Sequence, residues 1–205
     1  PDRPAGTCTV TSAADSGPGT LRDCLENQVS GDVITFDSTI FPPTSPVTIH
    51  VGPERLFWLV EGNITLDASN AGVILDGSSV TGVWDPGIGV ASDNNIVRGL
   101  QIYHFPGAGI GVQGYNNTIG GSRLVGSGPT GQGNVLSSNL LGLTISEGNQ
   151  VFGNIIGLDA TGTQAMGNEV GIGVSGPFNI IGSLEAGKNN IISASIFEGI
   201  GLCAD

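Results

Sequence analysis

The sequence predicts an all-β chain: a right-handed parallel β-helix closed at its N-terminus by a short capping helix. Three observations predict it. A phrase recurs, reading Gly87-Ile88-Gly89-Val90, Gly109-Ile110-Gly111-Val112, Gly142-Leu143-Thr144-Ile145, Gly171-Ile172-Gly173-Val174 and Gly199-Ile200-Gly201-Leu202. Its first apolar residues fall at 88, 110, 143, 172 and 200, in steps of 22, 33, 29 and 28 residues. Asn95, Asn117, Asn149 and Asn179 nevertheless follow the first four at seven, seven, six and seven residues, each with Val97, Ile119, Val151 or Ile181 two places on. A constant offset inside a variable period is what stacked coils with one variable loop produce. The aliphatic runs are also too short and glycine-broken for helices, which need about 10 to 12 residues.

The expected elements follow in chain order. Thr7-Cys8-Thr9-Val10-Thr11-Ser12 alternates as a β-branched strand, and Asp15-Ser16-Gly17-Pro18-Gly19 turns the chain. Thr20 then caps Leu21-Arg22-Asp23-Cys24-Leu25-Glu26-Asn27, whose Leu21, Cys24 and Leu25 share one face. This helix is expected to cover the first coil. Short strands are expected at 31–37, 47–51, 56–60, 64–66 and 73–77, between turns, as irregular first coils. The chain therefore divides into 1–30 (strand and cap), 31–87 (irregular coils) and 88–205 (regular coils), all within one domain. Loops at 120–133, 159–167 and 183–188, rich in Gly, Ser and Thr, absorb the differences in period. Asn suits the sharp corners twice over: it tolerates left-handed backbone, and its amide can bond to the next coil.

Composition narrows the class. Gly supplies 35 of 205 residues, 39% are hydrophobic and 12% charged, which excludes a coiled coil and argues against disorder. The net charge of −12 reflects a scarcity of bases, so nucleic acid is excluded as a partner. No apolar run approaches the length of a membrane span, and the start, Pro1-Asp2-Arg3-Pro4, reads as that of a processed chain. Cys8, Cys24 and Cys203 form no CxxC motif, so a zinc site is not supported. They fit a secreted or cell-surface protein in which Cys8 and Cys24 pair and Cys203 is left over; the alternative is buried free thiols.

The stretches Thr9-Val10-Thr11, Asp15 to Arg22 and Asp32-Val33-Ile34-Thr35-Phe36 resemble the opening of bacterial secreted right-handed parallel β-helix proteins, those of the pectate-lyase-like fold. Asn117-Thr118-Ile119-Gly120-Gly121 and Asn154 to Thr163, continuing to Met166-Gly167-Asn168, are similar to repeats of the same family. The resemblance covers nearly the whole chain and implies the fold. For function it implies only a range, from surface adhesins and secreted scaffolds to carbohydrate-active enzymes.

Chemistry on such a frame needs a carboxylate pair for glycoside hydrolysis, or a calcium cluster and a base for elimination. Asp67, Asp76, Asp85 and Asp93 are the acidic candidates, in successive segments that can meet on one face; the structural reading is the stronger, since Asp76-Gly77 and Asp85-Pro86-Gly87 are ordinary turn sequences and Asp93-Asn94 sits where a corner is expected. Arg98 and Arg123 are the only candidate bases for elimination, and neither has basic neighbours to hold an acidic sugar. His50 and His104 stand alone, without the paired Asp and Gly-His-Gly of pectin hydrolases. Trp84, Tyr103 and Tyr115 are candidates for stacking on sugar rings. No cofactor is expected. Calcium held through oxygens of Asp159-Ala160-Thr161-Gly162 is the one ion weighed, and a single carboxylate is too few for a dedicated site. The expected role is a non-enzymatic extracellular scaffold, adhesive or filament-forming, with a polysaccharide-active enzyme or carbohydrate-binding module as the alternative. The last phrase, Gly199 to Leu202, precedes Asp205 with no cap. End-to-end stacking of copies, with Cys203 as an intermolecular bridge, is therefore one expectation, beside a longer chain or a capping partner.

Overall fold

The computed structural model describes residues 3–202, and they form a parallel β-solenoid. The chain opens with β1 (Thr7–Val10) and the helix α1 (Leu21–Glu26), then climbs rung by rung. The next rung holds β2 (Val33–Phe36) and β3 (Val47–His50), and the third holds β4 (Thr65–Asp67), β5 (Val73–Asp76) and β6 (Ile88–Val90). Regular three-sided rungs follow: β7 (Ile96–Arg98), β8 (Leu100–Tyr103) and β9 (Ala108–Val112); β10 (Thr118–Gly120), β11 (Val135–Ser137) and β12 (Leu141–Ile145). The last two hold β13 (Gln150–Phe152), β14 (Ile155–Ile156) and β15 (Val170–Val174), then β16 (Ile180–Ile181), β17 (Ile191–Ile192) and β18 (Glu198–Leu202). Strands at matching positions form three parallel sheets: β1-β2-β4-β7-β10-β13-β16, β3-β5-β8-β11-β14-β17 and β6-β9-β12-β15-β18.

The register is the one the repeat demands. Ile88, Ile110, Leu143, Ile172 and Ile200 stand in a single column. Ile34, Leu66, Val97, Ile119, Val151 and Ile181 form a second column, and Ile49, Leu75, Ile102, Leu136, Ile156 and Ile192 a third. Most of these side chains are fully buried, and Ile200, at the end of its column, is 47% exposed. Rungs about 4.8 Å apart place each branched side chain on the one below, so the interior is close-packed.

The helix forms as expected. Thr20 Oγ1 accepts from the Asp23 N–H at 3.2 Å, and Leu21, Cys24 and Leu25 are buried in the core shared with Ile34 and Leu66. A disulfide joins Cys8 of β1 to Cys24 of α1, with Cα atoms 5.8 Å apart, and ties the helix to the first rung. Cys203 lies outside the described residues. No helix among those described is long and apolar enough to cross a membrane.

The corners are better built than expected. Asn95 Oδ1 accepts from the Ile64 N–H at 2.9 Å; Asn117, Asn149 and Asn179 accept in turn from the N–H groups of Asn95, Asn117 and Asn149 at 2.8, 2.9 and 2.8 Å. These asparagines do not hold the left-handed backbone themselves. It falls one residue earlier, at Asn63, Asn94, Asn116, Gly148 and Phe178. Turning and laddering are thus divided between neighbours at these corners. A second ladder, Asn134, Asn154 and Asn190, starts from the Leu100 N–H, and a third, Asn139 and Asn168, starts from the Phe105 N–H. All three corners therefore satisfy buried main-chain donors with asparagine amides.

One expected strand fails. Residues 56–60 are irregular apart from Leu59, which bridges to Val90, so the third sheet starts only at β6. Leu56 and Leu59 stay in the core, while Phe57, Trp58 and Val60 of the same segment line the site.

Candidate functional site

A groove of about 1030 Å³ opens between α1 and residues 52–61. Two buried polar side chains shape it. Arg22 donates from Nη1 to the Arg55 carbonyl at 2.6 Å, and from Nη2 to the Glu54 carbonyl at 3.0 Å and to Asp15 Oδ1 at 2.8 Å. Gln28 donates to the Leu25 and Trp58 carbonyls at 2.6 and 2.8 Å and accepts from the Val60 N–H at 3.0 Å. Between them they tie the segment to the helix, beside the two main-chain bonds that Leu59 makes to Gly89 and Ala91.

The groove presents Phe57, 49% exposed, beside Trp58 and Val60. The Trp58 ring lies flat on Gly89 of β6, so closely that any side chain at Gly89 would collide with the indole. Its Nε1–H is buried and meets no acceptor among the described residues. Around these rings stand Glu26, Glu54 and Glu61, all exposed, together with Asp85, which accepts from Arg55 Nη1 at 3.2 Å. The arrangement combines apolar ring faces with a rim of hydrogen-bond acceptors, as a small-molecule site requires.

The four acidic candidates do not gather on one face. Asp67, in β4 on the first sheet, binds Arg98 Nη2 at 2.6 Å. Burial pushes its carboxyl up, but Arg98, the Ser69 hydroxyl and the Ser69 N–H outweigh that and hold it below the usual range. Asp76, in β5 on the second sheet, lies against both histidines: His50 Nδ1 at 3.2 Å from Oδ2, and His104 Nδ1 at 3.0 Å from Oδ1. Burial opposes ionisation there too, and the bonds from His104 and Ser78 overcome it. Asp85 lies in the groove, and Asp93, at a corner, accepts from the Tyr115 N–H at 2.8 Å. The histidines that look isolated in sequence share a carboxylate because 26 or 28 residues make one coil.

The aromatic candidates are also dispersed. Trp84 is 67% exposed on the turn between β5 and β6, and Tyr115 is 49% exposed on the turn between β9 and β10. Tyr103 is buried on the outer face of the second sheet against Val135 and Ile155. That burial, with Asp159 nearby, pushes its hydroxyl up to about 12. Phe105 packs in the core. Asp159 spends its oxygens on its own loop, accepting from Gln164 N–H, Thr161 Oγ1 and Thr163 N–H, which draws its carboxyl down to about 2. Among the described residues no three His, Cys, Asp or Glu side chains are grouped to hold a metal ion.

Of the groove residues only Asp85 was a candidate from sequence. The signal lay in Glu54 to Glu61, where two adjacent aromatics are bracketed by carboxylates in a run whose β alternation is poor. The chain matches no protein-family model, no curated protein and no solved structure.

Proposed function

We propose that this protein is a rigid scaffold acting outside the cell, which holds a saccharide in the groove without turning it over. The groove carries the proposal: exposed Phe57 and the Trp58 ring offer apolar faces to sugar rings, while the glutamates and main-chain groups beside them bind hydroxyls. A stack of fully buried rungs supplies the rigidity that a preorganised site needs. The Cys8–Cys24 disulfide supports an oxidising compartment. Against turnover stands the state of the carboxylates. In the groove the two aspartates, Asp15 and Asp85, are each taken up by an arginine, Arg22 and Arg55.

The test is calorimetric titration with neutral oligosaccharides, with product analysis of the same mixtures. Binding that is lost in Phe57→Ala, without cleavage products, supports the proposal. Products that appear with the parent and vanish with Asp85→Asn overturn it in favour of an enzyme. No binding by any saccharide overturns it outright.

A further inference from the structure

The charges around the groove distinguish among saccharides. Five carboxylates line it against two guanidiniums, Arg22 and Arg55. Both guanidiniums are occupied, Arg22 by the Asp15 carboxylate and three carbonyls, Arg55 by Asp85. Glu26, Glu54 and Glu61 have no cationic partner among the described residues, and each is exposed beside the aromatic faces. The chain as a whole carries −12, so the field over the groove is negative at long range as well as at contact. Phe57 and Trp58 add ring faces that attract cations.

We infer that the saccharide held here is cationic, an oligomer of amino sugars bearing protonated amines. This rests on the saccharide reading above and narrows it. An ammonium on alternate faces of such a chain meets either a glutamate or an aromatic ring, while the pyranose ring stacks. A polyuronate meets the same groove with repulsion at every residue. Three exposed carboxylates, each worth an exposed ion pair, together give a preference of about three- to a hundredfold for the amine over its neutral N-acetyl counterpart. The preference weakens with salt, since the Debye length falls from about 30 Å at 0.01 M to about 8 Å at 0.15 M.

The experiment compares a glucosamine oligomer, the N-acetylglucosamine oligomer of equal length and oligogalacturonate, at mildly acid pH and at both salt concentrations. The expected order is amine, then N-acetyl, then uronate. Glu54→Gln and Glu61→Gln should each weaken amine binding about two- to fivefold, and weaken N-acetyl binding, which keeps only the hydroxyl contacts, by less. Phe57→Ala should weaken both. Equal binding of amine and N-acetyl oligomers overturns the charge preference and leaves the saccharide reading standing. Failure of all three oligomers overturns both. Amine binding that survives Phe57→Ala unchanged marks diffuse attraction to an acidic surface and overturns the assignment to the groove.

Discussion

Asn117 Oδ1 accepts two hydrogen bonds from Asn95, one from its main-chain N–H at 2.8 Å and one from its side-chain Nδ2 at 2.9 Å. One oxygen thereby satisfies two buried donors of the rung below, and Asn117's own N–H and Nδ2 bond to Asn149 Oδ1 at 2.9 and 3.2 Å. The stack is directional, with each amide oxygen facing the preceding rung. Replacing Asn117 by Ala removes the acceptor and leaves the Asn95 N–H without a partner in a dry interior, while Asn95 Nδ2 keeps its bonds to the Ser92 carbonyl and hydroxyl. The expected loss is about 1 to 3 kcal/mol of unfolding free energy, measured by urea denaturation. Asn117→Asp keeps an acceptor but buries a charge and loses the bond to Asn149, so it should also destabilise, and more at neutral than at acid pH.

The phrase that recurs along the third sheet has glycine at its first position in every rung and at its third in all but the one at residues 142–145, and the two positions have different reasons for being glycine. A Cβ on Gly142 would lie 2.5 Å from the Gly171 carbonyl oxygen, 2.6 Å from Ile156 Cγ2 and 2.9 Å from Asn168 Nδ2. On Gly173 it would meet only Thr144 Cγ2 at 3.6 Å, an ordinary contact. Gly142→Ala should therefore cost about 1 to 3 kcal/mol, since backbone and ladder must move. Gly173→Ala should be neutral, or stabilising by about 0.5 kcal/mol through reduced freedom of the unfolded chain. Thermal melts of the two variants check the contrast, and similar melting points would contradict it.

Reduction of the Cys8–Cys24 disulfide should destabilise the N-terminal end. The bridge closes a loop across 16 positions of sequence, for which chain entropy gives about 3 kcal/mol. Because Arg22 and Gln28 lie on and just after the tethered helix, loosening α1 also loosens the 52–61 segment. Hydrogen exchange with and without reductant should show protection lost first at residues 21–28 and 56–60, while the ladder residues Asn117 and Asn149 stay protected.

What sequence could reveal depended on whether partners recur at constant spacing. Ile110 and Leu143, or Asn95 and Asn117, are found because each rung repeats the short path from the third sheet to the first without insertions. The ladders through Asn134 and Asn139 were missed because insertions interrupt the other two corners: residues 121–133 and 157–169 separate strands that are adjacent in space. The motif of Asn followed by two aliphatics, at Asn134, Asn154 and Asn190, was still a usable signal. The groove was illegible for a different reason. Its walls come from the turn before α1, from 52–61 and from Asp85, which meet only through stacking and through hydrogen bonds that Arg22 and Gln28 make to main-chain carbonyls. Bonds to carbonyls carry no residue identity at the accepting end, so no pairing pattern betrays them.

Acid should weaken the fold through Asp67 and Asp76, and the direction follows from their ionisation. Both carboxyls are held below their ordinary range in the folded chain, Asp67 chiefly by Arg98 and Ser69 against the cost of burial, and Asp76 by His104 and Ser78 against the same cost. The unfolded chain therefore takes up protons first. The stabilisation is complete above the unfolded value of about 3.9 and is lost as pH falls through the lower folded values. Asp67→Asn should thus cost about 1.5 to 3 kcal/mol at neutral pH, where it leaves Arg98 partly buried and unpaired. The same substitution should cost less at low pH, where the parent's own Asp67 has been neutralised. Urea denaturation of parent and variant between neutral pH and the acid transition measures the gap directly. A gap that stays constant, or widens, on acidification would show that the Asp67–Arg98 pair contributes nothing to folding.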